Sequence, residues 1–178
     1  MSVVQVTLAL VVEDPVIRWG ADWLWGLPLI VLTVIIHVLG LGLIGQRAVG
    51  FANAIFERRH PILGFAGIVG TTTLLATCLH ALEAALWAAA YRILGALPDR
   101  GSAMLYSLSA ITSYGHAAVT LAPHWQLLGA LEALNGWLLF GLTTAFLFAM
   151  IDKIWAVGAN RVQSATPASR SKVIHRNG

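Results

Sequence analysis

The chain has 178 residues, of which 58% are hydrophobic and only 11% are charged, with a formal net charge of +3. Ordinary soluble domains carry about 25% charged residues, so this composition excludes a water-soluble fold and predicts one compact membrane domain. The small positive charge needs no nucleic acid to explain it, and the partners expected from it are membrane lipids. A single cysteine, Cys78, excludes an intrachain disulfide.

Three apolar segments are long enough to cross a bilayer, which takes about 20 helical residues. They cover residues 24–44, residues 62 to about 90, and residues 127–151. The chain is predicted to divide into an extracellular N-terminal segment, a first transmembrane helix with its cytoplasmic loop, a pore domain and a disordered basic tail. Their ranges are 1–22, 23–60, 61–156 and 157–178.

Basic residues set the predicted orientation. Arg47, Arg58 and Arg59 lie at the loop that follows the first span, and five further Lys or Arg residues follow the third. The positive-inside rule therefore places this loop and the C-terminus in the cytoplasm. The N-terminus then lies outside, as three crossings require. The expected location is the bacterial inner membrane.

A shorter run lies between the second and third spans. Residues 102–111 make about ten residues, or roughly 15 Å of helix, which is half of the ~30 Å hydrocarbon core. This helix is too short to cross, so it is predicted to re-enter the membrane, with Ser102 as its N-cap and a loop after Ile111. Irregular backbone at membrane depth is tolerated only where it lines a cavity or is buried in protein.

The order of these elements resembles the pore domain of the potassium channel family, in which an outer helix is followed by a short helix, a loop and an inner helix. Ser107 falls on the pore-helix serine of that family and Gly115 on its first filter glycine. Residues 127–136 and 141–148 are similar to its inner helix, and the resemblance covers roughly residues 75–155. The filter positions are then occupied by Thr112, Ser113, Tyr114, Gly115, His116, Ala117 and Ala118.

The resemblance implies an all-α integral membrane fold of three transmembrane helices with a re-entrant pore helix and a filter-like loop. It also implies a homotetramer, because each chain supplies one loop to a shared ring of carbonyls, and passive transport of K⁺ or another monovalent cation. We expect no enzymatic activity, no cofactor and no metal beyond the permeant ion.

Three filter positions depart from the family pattern. Ala117 replaces the second glycine, where a left-handed backbone costs about 1–2 kcal/mol more than for Gly. His116 replaces a tyrosine, and either makes conduction pH-sensitive or packs behind the filter. Ala118 replaces an aspartate. These departures leave open an alternative function, a non-conducting pseudo-channel that acts as a regulatory or interaction subunit.

Four ionisable residues lie inside the predicted spans: His37, His80, Glu83 and Glu132. Such residues usually face the interior of a bundle or a wet cavity. His80 and Glu83 share a helix face, so these two and His37 are candidates for a metal site or a proton relay. The alternative is a set of hydrogen bonds between helices, such as His80 to Glu132 or Glu83 to the short-helix backbone.

Gly136 lies part-way along the third span. It is a candidate gating hinge, and close helix packing is the alternative role.

Overall fold

A computed structural model describes residues 15–55, 61–115 and 119–165, and all structural statements refer to these residues. The described chain is helical and contains no strand. Helices α1, α2 and α4 are long and apolar enough to span a membrane. The prediction of an all-α fold with three helices that could span a membrane is therefore confirmed. The elements are α1 (Pro15–Ile55), α2 (Pro61–Ile93), α3 (Arg100–Ile111), a short 3₁₀ turn (Pro123–Trp125) and α4 (Gln126–Ala165).

Prolines mark most of the helix boundaries. Pro15, Pro61 and Pro123 stand at the first position of their helices, where the missing N–H costs nothing. Pro98 lies between α2 and α3, and Pro167 follows the end of α4.

The helices are longer than the predicted spans. Residues 15–22, predicted as part of the segment outside the membrane, form the first turns of α1. Residues 157–165, predicted as part of a disordered tail, continue α4. The predictions stopped where hydropathy falls, but the backbone hydrogen bonds that hold a helix do not require apolar side chains.

Helix α2 ends in a Schellman motif. Gly95 adopts a left-handed backbone with φ +67°. The N–H of Gly95 donates to the carbonyl of Arg92, and the N–H of Ala96 donates to the carbonyl of Tyr91. Glycine suits this position because it has no Cβ. The motif turns the chain sharply towards α3.

Helix α3 runs back alongside α2. Its first residues, Arg100 and Ala103, line the same surface depression as Arg92, at the end of α2. Its last residue, Ile111, lines a cavity with His80. From Arg92 to His80 is twelve residues of α2, so α3 descends about 18 Å along its neighbour.

Buried polar contacts join helix α1 to α4 in addition to apolar packing, and two of them lie in the half of the bundle near the start of α4. The carboxylate of Asp22 accepts a hydrogen bond from the backbone N–H of Leu128 at 3.2 Å. A carboxylate is favourable there because the first N–H groups of α4 lack partners within their own helix. Deeper in the bundle, the Asn135 amide donates to the Thr33 hydroxyl at 2.8 Å.

Candidate functional site

The start of α3 is fixed by Asp99, whose side chain accepts a hydrogen bond from the backbone N–H of Ser102 at 2.8 Å. Asp99 is therefore the N-cap, and the prediction of Ser102 for this role is wrong by three residues. Both residue types cap well, and the sequence alone did not show where the helix begins. Hydrogen bonds from Ser102 hold the pKa of the Asp99 carboxyl below its ordinary value.

The end of α3 is a second Schellman motif, formed by the predicted loop residues. The N–H of Ser113 donates to the carbonyl of Ala110, and the N–H of Tyr114 donates to that of Ser109, each at 2.9 Å. Ser113 has φ 54°, the left-handed backbone that a non-glycine residue adopts only at some cost. Thr112 is the C-cap of the helix.

Four of the seven residues matched to the filter, Thr112 to Gly115, lie in this cap. Thr112 turns its hydroxyl back to the carbonyl of Leu108 at 2.6 Å. Tyr114 is 84% exposed, and Gly115 has φ +74°. The other three, His116, Ala117 and Ala118, lie outside the described residues.

Gly136 of α4 is in direct contact with the end of α3. A Cβ built on Gly136 would overlap the carbonyl oxygen of Ile111 and would lie 2.7 Å from its carbonyl carbon. The obstacle is backbone and cannot move away as a flexible side chain would. Close packing therefore explains this glycine, whereas its proposed role as a gating hinge stays a prediction.

An open cavity of about 460 Å³ lies below the end of α3. Thr112 and Ser113 line it from the loop, and His80 lines it from α2. The cavity thus brings hydroxyl groups of the proposed ion pathway close to one of the ionisable residues inside the spans. Its remaining lining is Thr77, Ile111, Gly136, Trp137 and Phe140.

Three of the four predicted ionisable residues meet in one buried group, which we call the histidine cluster: His37, His80, Glu83 and Thr143. His37 Nδ1 lies 2.8 Å from Glu83 Oε1, and His80 Nδ1 lies 3.3 Å from Glu83 Oε2. The Nε2 atoms of both histidines lie within hydrogen-bond distance of the Thr143 hydroxyl, at 2.9 and 3.0 Å. His37 and Glu83 are fully buried, whereas His80 is partly exposed.

Glu132, the fourth, belongs to a separate group, which we call the glutamate cluster: Tyr91, Ser107 and Glu132. The Tyr91 hydroxyl donates to Glu132 Oε2 at 2.5 Å. The Ser107 hydroxyl contacts both Glu132 Oε1 and, at 2.6 Å, the carbonyl of Ala84. The suggested bonds of His80 to Glu132 and of Glu83 to the α3 backbone are not among the contacts of the described residues.

Proton counting assigns the charge of Glu132. Ser107 has a single hydroxyl proton, and the carbonyl of Ala84 can only accept. The proton between Ser107 and Glu132 Oε1 must then come from the carboxyl group. The donor count therefore favours a neutral Glu132, a fully buried acid whose partners among the described residues are two hydroxyl groups.

Sequence reasoning missed the neutral partners of both clusters. Thr143 and Tyr91 are ordinary residue types within apolar runs, and spacing along one helix does not show which groups face another helix. Ser107 was singled out only for its place in the resemblance. The available signal was the presence of buried carboxyl groups, each of which needs donors nearby.

The chain matches no family model, and neither the curated proteins nor the solved structures contain a significant match. The resemblance to potassium channels therefore depends on the residues of this chain alone and stays a prediction.

Proposed function

We propose that the protein is a potassium-channel-like pore-forming protein that mediates passive transport of K⁺ or another monovalent cation. The observation that carries this proposal is the course of α3, a twelve-residue helix that ends beside Gly136 and His80 rather than continuing across. Its descent of about 18 Å along α2 is little more than half of a hydrocarbon core of about 30 Å. In a membrane α3 would be a re-entrant helix.

Electrostatics supports a cation as the permeant species. The C-terminal end of a helix carries partial negative charge from its last carbonyl groups. The last turn of α3 faces the open cavity, with the Thr112 and Ser113 residues on the same lining. These hydroxyl oxygens, together with backbone carbonyls, are the ligands that monovalent cations take in place of water.

A symmetric assembly would complete the path, because one chain contributes one loop. Large apolar side chains around the cavity remain exposed in the single chain, including Trp137 at 66% and Phe140 at 62%. In a homotetramer this face would meet its copies, and the other apolar faces would meet lipid. The same proposal puts the protein in the bacterial inner membrane, with its N-terminus outside.

A non-conducting pseudo-channel is the second candidate, and the Schellman motif at the end of α3 favours it. The N–H groups of Ser113, Tyr114 and Gly115 all donate back to carbonyls of α3. Two carbonyls near the end of the helix are thereby occupied by backbone donors. A loop folded in this way offers fewer free oxygens to an ion than an extended loop does.

Flux into liposomes separates the two functions. Purified protein is reconstituted, and uptake of K⁺, Na⁺ and Cs⁺ is measured against empty liposomes. For a channel we expect K⁺ uptake that falls in Thr112→Ala. It should be unchanged in the matched control Thr73→Ala, because Thr73 is exposed and bonds only to its own helix.

Absence of flux from correctly assembled protein would contradict the channel. The double variant Ala117→Gly with Ala118→Asp then tests the pseudo-channel. Restored K⁺ uptake would mean that only the filter was lost, and persistent absence would count against a pore fold as well.

A further inference from the structure

No pair of neutral histidine tautomers satisfies every polar atom of the histidine cluster. The Thr143 hydroxyl has one proton to donate and two lone pairs that accept. If both Nδ1 atoms carry protons and donate to Glu83, only one of the two Nε2 atoms can receive the Thr143 proton. The other is left as an acceptor without a donor among the described contacts.

The opposite assignment leaves the shortfall in another place. If both Nε2 atoms carry protons, Thr143 can accept both of them, and each ring is then fixed with a bare Nδ1. Both bare nitrogens face the oxygens of Glu83. Lone pairs then oppose lone pairs at the centre of a buried group. A mixed assignment, with protons on His37 Nδ1 and His80 Nε2, lets Thr143 donate to one ring and accept from the other, and it leaves one opposed pair, the bare His80 Nδ1 and Glu83 Oε2. A positive charge between these two atoms, a proton or a metal ion, would relieve the opposition.

The distance between His80 and Glu83 suits a shared ion better than a shared proton, whereas the 2.8 Å between His37 Nδ1 and Glu83 Oε1 is that of a hydrogen bond. Glu83 Oε2 is buried and has no hydrogen-bond partner among the described residues, although His80 Nδ1 lies only 3.3 Å away. Charge-assisted hydrogen bonds are shorter, at about 2.7–2.9 Å. Two ligands of a tetrahedral ion bound at about 2.0–2.1 Å lie about 3.4 Å apart.

We propose that His37, His80 and Glu83 form a binding site for a divalent transition-metal ion of the zinc class. Their ligand atoms lie within 4.8 Å of one another. Two imidazoles and one carboxylate are a ligand set that suits zinc, with one coordination position open. Thr143, which contacts both Nε2 atoms, orients the rings as an outer partner.

The site has an entrance. His80 is 27% exposed and lines the open cavity below α3, so an ion can reach its ring from that side. Binding would replace the His37–Glu83 hydrogen bond, whose 2.8 Å separation must widen by about half an ångström to suit a tetrahedral ion. The ion would tie α1 to α2. This proposal goes beyond the cation path, since the ion is resident rather than transported.

The test measures metal in full-length protein that carries no polyhistidine tag. The protein is purified in detergent, stripped with a chelator, reloaded with Zn²⁺ or Co²⁺ and passed through gel filtration. We expect one zinc per chain and, for Co²⁺, the intense visible absorption of a tetrahedral ion. His80→Ala and Glu83→Ala should lose both signals, whereas His124→Ala should keep them, because His124 lies in the 3₁₀ turn away from the cluster.

A second pair of variants keeps the test decisive if alanine disturbs folding. In a Cys78→Ser background, His80→Cys supplies a new ligand, so it should retain cobalt and add a thiolate charge-transfer band. Thr143→Val should weaken zinc binding by about 10–100-fold, as loss of an outer partner does.

Two results would overturn the proposal. One is monodisperse wild-type protein that takes up no stoichiometric zinc, which would mean that a proton fills the centre. The other is folded His80→Ala that binds zinc as the wild type does. Neither result depends on ion flux, so the proposed transport function stands or fails separately.

Discussion

Glu83 and Glu132 are both fully buried carboxyl groups in the same helical bundle, yet their surroundings differ in kind. Glu83 faces two imidazole rings, which can carry positive charge. Glu132 faces the hydroxyls of Tyr91 and Ser107, which cannot. The comparison teaches that the partners of a buried acid decide its charge: we expect Glu83, beside groups that can be cations, to be ionised, and Glu132, beside hydroxyls, to be neutral.

The largest expected effect tests this difference directly. Glu132→Gln keeps a donor for Ser107 and an acceptor for Tyr91, so it should cost about 1 kcal/mol or less. Glu83→Gln removes the charge that the imidazoles require and should cost about 3–5 kcal/mol. The measurement is unfolding of the metal-free protein in mixed micelles. Equal losses in the two variants would show that the two acids share one charge state.

Thr143 provides the next test, with its neighbour as control. Thr143→Val leaves two imidazole nitrogens without a partner and should destabilise the protein by about 1–3 kcal/mol. Thr144 is exposed and bonds only to the carbonyl of Phe140 in its own helix. Thr144→Val should therefore change stability by less than about 0.5 kcal/mol. A similar loss in both would show that valine at this level disturbs α4 itself.

Tyr91→Phe is a narrower change in the glutamate cluster. It removes the hydroxyl that donates to Glu132 Oε2 while keeping the buried ring. An unpaired acceptor on a neutral acid costs about 1–3 kcal/mol, and we expect the lower part of that range because no charge is exposed. The double variant of Tyr91→Phe with Glu132→Leu should recover part of the stability that Tyr91→Phe loses. No recovery in the double variant would contradict the assigned pairing.

Asp99 is the exposed counterpart of the two buried acids and should give the smallest effect. Its pKa is lowered in the folded protein, so its contribution is present above the ordinary pKa and is lost as pH falls through the lowered value. Asp99→Asn keeps a good N-cap without this titration. The difference in Tm between wild type and variant should therefore shrink between about pH 4 and pH 2. A constant difference would exclude the titration of Asp99 as its source.

Much of the fold could be predicted because hydropathy and length are properties of single segments. The three long helices and the short one were found in this way, and prolines at the boundaries would have refined their ends. The left-handed Ser113 was not predictable as part of a cap, because the loop was interpreted by alignment to a filter. Its hydrogen bonds to Ser109 and Ala110 show a local helix end.

The site was predictable only in part. Glu83 and His80 share a helix face through their spacing, and His37 was a reasonable third member. The rotation of α4 against α2 decides which residues of α4 reach this cluster. It brings Thr143 to the two histidines and Glu83, and it keeps Glu132 away from them. Sequence spacing carries no information about that rotation, which is set by contacts such as that of Gly136 with Ile111.

The polar bonds of α1 determine whether the chain could fold after this helix is deleted. Deleting this helix would strip His37 from Glu83, Thr33 from Asn135 and Asp22 from the first turn of α4. Each orphaned group would then face hydrocarbon, where water cannot replace the missing bond. Helices α2, α3 and α4 therefore do not form a stable unit without α1. A chain truncated in this way should fail to accumulate in cells.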